Sequence, residues 1–406
     1  IKLNDDGTPY TFFNNNLGTG FTVNGENGDD TVVYSIIEDQ SGNYIIGGRF
    51  NKFRDQSANA IIKLDSLGNI DPDFSNNVFG GGGENGFTRN GESNNGEVYS
   101  IIEDQSGNYI IGGFFNQFRD QSANAIIKLD SSGNIDPDFS NNVFGGGGEN
   151  GFTINGENGD DTFVFSIIED QSGNYIIGGE FNQFRDQSAN AIIKLDSSGN
   201  IDPDFSNNVF GGGGENGFTI NGESNNGEVY SIIEDQSGNY IIGGEFNQFR
   251  DQSANSIIKL DSSGNIDPDF SNNVFGGGGE NGFTRNGSSD EAVVYSIIED
   301  QSGNYIIGGK FNQFRDQSAN AIIKLDSSGN IDPDFSNNVF GGGGENGFTI
   351  NGENGDDTFV FSIIEDQSGN YIIGGRFNQF RDQSANSIIK LDSSGNRVAY
   401  PDWKVI

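Results

Sequence analysis

The stretch SIIEDQSGNYIIGG constrains this chain more than any other feature, because it occurs six times without a single change. The copies begin at Ser35, Ser100, Ser166, Ser231, Ser296 and Ser362, and successive copies lie 65 or 66 residues apart. A fixed period of this length is typical of repeat proteins, in which each unit buries its apolar face against its neighbours. The sequence therefore predicts one domain, residues 1–406, built from six repeats.

Each repeat contains four segments with the composition of β-strands. In the first repeat, residues 31–39 are rich in β-branched and aromatic residues, and Gly42 follows in a turn where a positive φ is needed. Residues 44–48 return as a second strand, and residues 60–64 form a third. Residues 70–74, IDPDF, are interpreted as a short fourth strand, which its proline would restrict to the edge of a sheet.

Four strands joined by tight turns and repeated six times predict an all-β fold, a β-propeller of four-stranded antiparallel blades. Six blades are expected, seven blades with one incomplete are the alternative, and an open array is a third possibility. The chain carries six copies of the first hairpin and seven of the second. The terminal hairpins, residues 1–13 and 388–406, are therefore expected to take part in ring closure or in assembly.

The charge of the chain excludes several classes of partner. Its 21 Lys and Arg residues face 59 Asp and Glu residues, which gives a formal net charge of −38 at pH 7. Such a field repels phosphate backbones and anionic membranes, so neither nucleic acid nor direct membrane insertion is expected. The sequence also contains no run of 18 apolar residues.

Cysteine, histidine and methionine are absent, which excludes disulfides, the usual zinc sites and thiol or imidazole nucleophiles. The DSSGNID-type segments, the first at residues 65–71, place oxygen-bearing side chains at alternate positions, as calcium ligands often are. They lack the distant bidentate Glu of a calcium loop, and their glycine stands where a hairpin needs one. A plain turn and no cofactor are expected, with calcium as the alternative.

The series of a strand, a D-x-S-G-N turn, YIIGG and then IIKLDSSGNIDPDF resembles the delta-60 repeat family and is more distantly similar to kelch repeats. Tyr44, Ile45 and Ile46 before the double glycine match the kelch pattern. Phe74 stands where kelch repeats carry tryptophan. The resemblance covers all six units and implies a propeller that binds on a cell or particle surface, without implying a reaction.

Because the repeats are near-copies, the positions that differ between them are visible directly. The residue after the double glycine varies in charge and size, and so does the residue before NG in the GFT-x-NG segment. The first set is Arg49, Phe114, Glu180, Glu245, Lys310 and Arg376, and the second includes Arg89 and Arg285. These eight residues are predicted to form a partner-contact face, the alternative being exposed positions that packing leaves free to vary.

One arginine per repeat, Arg54 in the first, precedes an aspartate. Such an arginine can bind an anion, but it is interpreted as bonding to carboxylates or backbone carbonyls between blades. Phe53 beside it is expected to pack in the core. Two further segments recur: the acidic loops, the first at residues 25–30, and the glycine runs, the first at residues 80–83. The glycine runs lack the Lys of a phosphate-binding loop.

A propeller glycosidase needs two carboxyls in different environments, whereas nearly every Asp and Glu here recurs in each repeat. The sequence thus predicts a non-catalytic, extracellular or particle-surface module for protein contacts or self-assembly. A lectin-like adhesin that recognises glycans is the first alternative, and a carboxylate-based glycosidase is the second. A multivalent lectin would carry the same residues in each of its pockets, whereas the residues at the variable positions differ between repeats.

Overall fold

The fold was taken from a computed structural model. The structure describes residues 20–23, 31–54, 56–79, 86–89, 96–119, 121–144, 151–154, 162–185, 187–210, 217–221, 227–250, 252–275, 282–285, 287–288, 291–315, 317–340, 347–350, 358–381 and 383–398. The predicted hairpin at 1–13, the glycine run at 80–83 and the acidic loop at 25–30 lie outside these residues, as does the end of the 388–406 segment.

Each repeat forms a three-stranded antiparallel main sheet, in which the six-residue strand carrying YIIGG lies in the middle. In each main sheet, the first strand along the chain has seven residues and the last has four. The first three strands predicted for each repeat are therefore confirmed. The seven-residue strands are Val32–Glu38, Glu97–Glu103, Phe163–Glu169, Glu228–Glu234, Val293–Glu299 and Phe359–Glu365. The six-residue strands are Tyr44–Arg49, Tyr109–Phe114, Tyr175–Glu180, Tyr240–Glu245, Tyr305–Lys310 and Tyr371–Arg376. The four-residue strands are Ile61–Leu64, Ile126–Leu129, Ile192–Leu195, Ile257–Leu260, Ile322–Leu325 and Ile388–Leu391. The repeats are numbered 1 to 6 by these strands.

The hairpin between the first two strands of the main sheet follows the turn predicted from D-x-S-G-N. The N–H of Asp39 donates to the carbonyl of Asn43 at 2.8 Å, and Gly42 has a φ of 80°. The Asp39 carboxylate accepts the backbone N–H groups of Ser41 and Asn43, which fixes the turn from its side chain. The aspartates of the DSSGNID-type turns act in the same way, since Asp65 Oδ1 accepts the N–H of Asn69 at 2.8 Å.

The double glycine is required by close packing on both sides of the middle strand. A Cβ on Gly48 would lie 2.9 Å from Cα of Val33 on the paired strand. A Cβ on Gly47 would lie 2.8 Å from Ile101 Cδ1 and nearer still to Val98 of the next repeat. Any larger residue would therefore separate the strands or the repeats.

A second, smaller sheet in each repeat was not anticipated. It consists of three antiparallel strands of two residues each, with the Lys-Phe or Gln-Phe strand in the middle. The strands are, from repeat 1 to repeat 6, Phe21–Thr22, Lys52–Phe53 and Gln56–Ser57; Phe87–Thr88, Gln117–Phe118 and Gln121–Ser122; Phe152–Thr153, Gln183–Phe184 and Gln187–Ser188; Phe218–Thr219, Gln248–Phe249 and Gln252–Ser253; Phe283–Thr284, Gln313–Phe314 and Gln317–Ser318; Phe348–Thr349, Gln379–Phe380 and Gln383–Ser384. Phe53 is fully buried in this sheet, with its ring 4.9 Å from that of Phe21, which confirms its predicted core position.

The fourth strand predicted at residues 70–74 is wrong, and a helix takes its place. Ile70 makes only an isolated bridge to Leu64, after which Asp71 caps the helix by accepting the N–H groups of Asp73 and Phe74 at 3.0 Å. Pro72 is the first helical residue, where its missing N–H costs nothing. The described helices are Pro72–Phe79, Pro137–Phe144, Pro203–Phe210, Pro268–Phe275 and Pro333–Phe340. The DPDF segment is thus a helix start, and the described main sheets have three strands each.

The main sheets group into two compact units, one around repeats 1–3 and the other around repeats 4–6. Within the first unit, Val98 and Ile101 of repeat 2 pack on Gly47 of repeat 1, and both are almost fully buried. The second unit repeats this contact, with Val294 and Ile297 on Gly243. The core of each unit therefore lies between successive sheets. No helix in the described part of the chain is long and apolar enough to cross a membrane.

Candidate functional site

The variable residue after each double glycine lies at the end of the six-residue strand. There it is paired with the first residue of the seven-residue strand, which follows the variable acidic loop. The pairs are Val32 with Arg49, Glu97 with Phe114, Phe163 with Glu180, Glu228 with Glu245, Val293 with Lys310, and Phe359 with Arg376. The two ends of each hairpin thus bring together positions that are about 17 residues apart and that both differ between repeats. These twelve residues are called the variable row.

In the first unit the variable row connects repeat 1 to repeat 2 through opposite charges. Arg49 Nε lies 3.6 Å from Glu97 Oε1, and Glu97 Oε2 also accepts the hydroxyl of Tyr99 at 2.9 Å. The side chain of Arg49 is 44% exposed and that of Glu97 is 15% exposed. The contact therefore lies at the surface, with the Arg49 side chain partly exposed.

The next junction in the same unit is aromatic. The ring of Phe114 stacks on that of Phe163 from repeat 3, with centroids 4.4 Å apart and planes 12° apart. The Arg89 guanidinium lies 4.0 Å from the Phe114 centroid, a short cation–π contact. Arg89 and Phe114, predicted from two separate variable positions, are thus brought together.

The second unit places two acidic residues opposite each other, Glu228 and Glu245. Burial raises the pKa of the Glu228 carboxyl, although the Tyr230 hydroxyl donates a hydrogen bond to it. Burial, followed by the charge of Glu228, raises the pKa of Glu245, while Lys310 of the next repeat opposes that shift. This pair breaks the chemical symmetry of the repeats.

The last two pairs of the variable row place cations near an aromatic ring. Lys310 Nζ and the Arg376 guanidinium each lie 6.0 Å from the centroid of Phe359. Arg376 is exposed, Lys310 is half-buried and Arg285 is buried, with 8% of its surface exposed.

Of the eight residues predicted to form a contact face, Arg49 and Arg376 are exposed. The other predicted positions are half-buried, namely Phe114, Glu180, Glu245, Lys310 and Arg89. Arg285 is buried, and its backbone N–H and carbonyl pair with Ser288. The burial of these residues depends on tertiary packing, which sequence variation alone could not reveal.

A row of aromatic residues beside the variable row was missed by the sequence analysis. Each of these residues occupies the bulge of a seven-residue strand, where the register shifts, as at Tyr34 between Val33 and Ser35. In the first unit, the rings of Tyr34 and Tyr99 are 4.7 Å apart and those of Tyr99 and Phe165 are 5.5 Å apart. In the second unit, Tyr230, Tyr295 and Phe361 are spaced by 5.4 and 5.2 Å. The available signal was the position before SIIED, which is always Tyr or Phe.

A second candidate site is a polar cleft between successive repeats of the first unit. A cavity of about 350 Å³ is lined by Asp39, Lys63, Asp71 and Glu103, and its counterpart one repeat later has about 370 Å³. The Lys63 ammonium lies 3.2 Å from Asp39 Oδ2 and donates to Tyr109 and to the Ser131 carbonyl at 3.0 Å. All three donors of this buried ammonium are occupied, so the group is structural.

The Asp39 carboxylate of that cleft is stabilised in its ionised form. Burial alone would raise the pKa of Asp39, but hydrogen bonds from Asn43, Tyr109 and Lys63 outweigh it and lower the pKa to about 2. Within the described part of the chain, no group of three or more Asp or Glu side chains is arranged to hold a metal ion.

The arginine of each repeat binds backbone carbonyls, as the sequence analysis interpreted it. Arg54 Nη2 donates to the carbonyl of Gly68 at 2.9 Å, and Arg119 Nη1 donates to the carbonyl of Asn77, in the helix of the preceding repeat, at 3.0 Å. Both arginines have a positive φ, of 57° and 55°. In repeat 2 this arginine therefore connects its repeat to the preceding one, whereas Arg54 bonds within repeat 1.

Five tandem stretches of the chain match a family model described as "Domain of unknown function (DUF5122) beta-propeller". The matches cover residues 40–74, 105–139, 171–205, 236–270 and 301–335. Each runs from the turn after the seven-residue strand to the start of the helix. These five stretches match DUF5122 beta-propeller repeats, and the fold is propeller-like. A delta-60 or kelch relationship does not emerge from this match.

Solved structures similar to this chain have low sequence identity. The extracellular domain of a B. thetaiotaomicron protein described as a one component system is 15% identical, with a TM-score of 0.44, and the similarity covers 93% of this chain and 36% of that one. An inactive virginiamycin B lyase from Staphylococcus aureus with quinupristin is 14% identical, with a TM-score of 0.47 and coverages of 94% and 87%. PorZ, a surface component of the type-IX secretion system of Porphyromonas gingivalis, is 11% identical, with a TM-score of 0.44 and coverages of 96% and 50%. No curated protein matches the chain.

Proposed function

We propose that this chain is a non-catalytic binding or structural module, exposed on a cell or particle surface, that contacts a protein partner through the variable row. One observation carries the proposal. Among repeats that are otherwise near-copies, the residues that differ gather at one end of the main sheets, next to a row of aromatic side chains. Each repeat contributes one pair of residues to this row.

The chemistry of the row supports a protein partner. Tyrosine, phenylalanine and arginine are enriched at protein interfaces, where they combine a large contact area with hydrogen bonding. Tyr34 is 44% exposed and Phe361 is 51% exposed, and each belongs to the aromatic row beside an exposed arginine, Arg49 or Arg376. A lectin with several equivalent pockets would place the same groups in each repeat, whereas here the groups differ.

The charge of the chain adds a preference. In a chain with a net charge of −38, cations are scarce, yet Arg49, Lys310 and Arg376 belong to the variable row and Arg89 contacts it. A partner with carboxylates opposite these cations would be attracted locally, while the acidic remainder of the surface would repel other anions.

The pair of Glu228 and Glu245 bears on the catalytic alternative. A glycosidase needs one carboxyl that is protonated and one that is ionised, so their pKa values must move apart. Here burial raises the pKa of both groups. The other carboxylates at the hairpin turns, such as Asp39, recur in the same hydrogen-bonded setting in other repeats. Both features support a module without catalytic activity.

The proposal is tested by binding of the labelled chain to an envelope preparation of its source organism, and in parallel to a protein-free glycan array. The variant combines Arg49→Ser, Lys310→Ser and Arg376→Ser. The affinity of this variant for the envelope preparation is expected to fall by about tenfold or more. Its melting temperature should not change.

Lys52→Gln is the control, because it removes a cation outside the variable row and installs the glutamine that the other repeats carry at this position. It should bind as the wild type does. Equal binding of the triple variant would refute the proposal, and binding to the glycan array with no binding to envelope proteins would favour the lectin-like alternative.

A further inference from the structure

A small, partly enclosed cavity lies at the junction of repeats 2 and 3, within the first unit. Its volume is about 10 Å³, enough for one water-sized group. Phe114, which lines it, belongs to the variable row, and Thr162 directly precedes Phe163 of the same row. The polar lining consists of Arg89, Asn116 and Asn124 from repeat 2 and Thr162 from repeat 3.

Backbone hydrogen bonds hold the repeat 2 side of the cavity in place. Arg89 directly follows Thr88, whose carbonyl accepts the N–H of Asn116 at 3.2 Å. The N–H of Ala125 donates to the Phe115 carbonyl at 2.8 Å. The segments that line the cavity are therefore fixed relative to one another before any ligand arrives.

Arg89 gives the cavity a positive charge. Its guanidinium lies 4.0 Å from the centroid of the Phe114 ring, which in turn stacks on Phe163. This contact holds the planar guanidinium against a flat surface. The nearby carboxylate of Glu97, which is cross-strand from Phe114, is paired with Arg49 at 3.6 Å. The charge balance of the cavity thus favours an anionic group.

Thr162 leaves a polar group at the cavity without a partner. Only 7% of its surface is exposed, and its Oγ1 makes no hydrogen bond to any described residue. A buried hydroxyl that makes no hydrogen bond costs free energy, so a further group that bonds to it would be stabilising. The Arg89 guanidinium can only donate hydrogen bonds, and the hydroxyl can donate as well. A hydrogen-bond acceptor with negative charge therefore fits the cavity best.

Arginine and threonine at these two positions occur together along the chain. Arg89 of repeat 2 is followed by Thr162 in repeat 3, and Arg285 of repeat 5 is followed by Thr358 in repeat 6. Where repeats 1, 3 and 4 carry Val or Ile in place of the arginine, the next repeat carries Gly or Ala in place of the threonine. The two residues thus vary as a pair, although they belong to different repeats.

The second unit contains the same kind of unpartnered groups. Thr358 Oγ1 is buried and makes no hydrogen bond within the described part of the chain. The same holds for Nδ2 of Asn320, which corresponds to Asn124 and is 7% exposed. Both units therefore combine an arginine with buried polar groups that lack a partner.

We propose that the cavity between repeats 2 and 3 binds a carboxylate, supplied by an Asp or Glu side chain of the protein partner. One carboxylate oxygen would enter the cavity and accept a hydrogen bond from the Thr162 hydroxyl, while the negative charge pairs with the Arg89 guanidinium. The source of the carboxylate rests on the proposed function. The inference adds the chemical group that is recognised and the place where it binds.

A carboxylate fits better than a phosphate or a sulfate. It is planar and matches the fork of a guanidinium with two parallel hydrogen bonds. A single carboxylate oxygen is also close to the size of the water that the cavity admits. A phosphate is larger and carries more charge, which a chain with a net charge of −38 repels more strongly.

The test is a titration with N-acetyl-glutamate methylamide at constant ionic strength, followed by NMR of the full chain labelled at its Thr and Ala methyl groups. The methyl groups of Thr162 and Ala125 report on the cavity, which both residues line. Both signals should shift with a dissociation constant of about 1–10 mM. The corresponding glutamine compound, which has no charge, should cause no shift.

Two variants each remove one of the recognising groups. Arg89→Gln and Thr162→Val should each raise the dissociation constant about tenfold or more, because each removes a hydrogen bond to a charged ligand. Arg89→Lys keeps the charge but not the planar fork and should have a smaller effect. Lys52→Gln, which removes a cation outside the cavity, is the control and should bind as the wild type does.

Thermal melting checks the folding of each variant. Thr162→Val should melt at the wild-type temperature or above it, because it removes a buried hydroxyl that has no partner among the described residues. No shift of the Thr162 methyl signal up to about 50 mM of the glutamate compound would overturn the proposal. Unchanged affinity of both folded variants would overturn it equally.

A parallel titration with glucuronate separates a protein carboxylate from an acidic sugar. Tighter binding of glucuronate than of the glutamate compound would overturn the assignment to a protein side chain. The proposed function is tested separately, because Arg49, Lys310 and Arg376 do not line this cavity. Either proposal can therefore fail while the other holds.

Discussion

The hydroxyl of Tyr109 donates to Asp39 Oδ2 at 2.9 Å, although the two residues are 70 positions apart and belong to successive repeats. Lys63 completes the group from the first repeat, with its ammonium 3.0 Å from the tyrosine oxygen. The same arrangement joins Asp104, Lys128 and Tyr175, and in the second unit Asp235, Lys259 and Tyr305. Buried ions are stable only when fully paired, so this contact ties each repeat to the next one.

Tyr109→Phe should lower the free energy of unfolding by about 1–3 kcal/mol, because it leaves a buried carboxylate and a buried ammonium short of one hydrogen bond. Urea unfolding at pH 7 measures the change. In a double-mutant cycle, Lys63→Met and Tyr109→Phe should be less than additive, since both remove the same contact. Full additivity would show that the two groups act separately.

The stability of the first junction should depend on acid pH with a defined sign. The pKa of Asp39 is lowered from 3.8 to about 2 in the folded chain, so the unfolded chain binds the proton more tightly. This stabilising contribution is complete above pH 3.8 and is lost as the pH falls towards 2. Urea unfolding at pH 6, 4, 3 and about 2 should show the difference between the wild type and Asp39→Asn shrinking below pH about 4.

Glu291→Gln, which removes an exposed carboxylate, serves as the control for that experiment. Its difference from the wild type should change less over the same pH range. A constant difference between the wild type and Asp39→Asn from pH 6 to 2 would contradict the prediction.

Glu245→Gln should stabilise the chain at pH 7 by about 0.5–1 kcal/mol, because it removes one of two like charges on directly opposed strand positions. Burial and the charge of Glu228 raise the pKa of Glu245 above its usual value of 4.5, so ionisation destabilises the fold as the pH rises through that range. The gain should therefore disappear near pH 4, as measured by thermal melting at both pH values. Once Glu228→Gln is present, Glu245→Gln should add little, and an undiminished second gain would speak against coupling between the two carboxyls.

Gly112→Ala should lower the free energy of unfolding by about 1–3 kcal/mol, since the new Cβ would lie 2.8 Å from Ile167 Cδ1 and nearer still to Val164 of the next repeat. Gly374→Ala is the matched control, because among the described residues the corresponding Cβ meets only one atom, at 4.0 Å. Denaturant unfolding at a low protein concentration measures both. Equal losses would mean that strand geometry, and not packing between repeats, requires the glycine.

Local features of the structure could be predicted from the sequence. The turn at Asp39 and Gly42, the strands on either side of it and the need for the double glycine depend on residues that are near in the chain. The start of the helix at Pro72–Phe79 also has a local sequence signal, an aspartate cap followed by proline. That signal was interpreted as an edge strand, because proline is also found at the edges of sheets.

The candidate site depended more on tertiary structure. Variation between repeats identified Arg49 and Phe114, but not that Arg49 meets Glu97 or that Phe114 stacks on Phe163, because these partners come from the next repeat. It also could not show that Arg285 is buried.

The sequence by itself determined the period, the hairpins and the glycines, since these follow from backbone conformation over a few residues. Only the tertiary structure decided which faces are covered, because the same Val and Ile side chains are buried in repeat 2 and exposed in repeat 1. Identical local sequences fold alike, but their burial and their partners depend on the repeat that packs beside them.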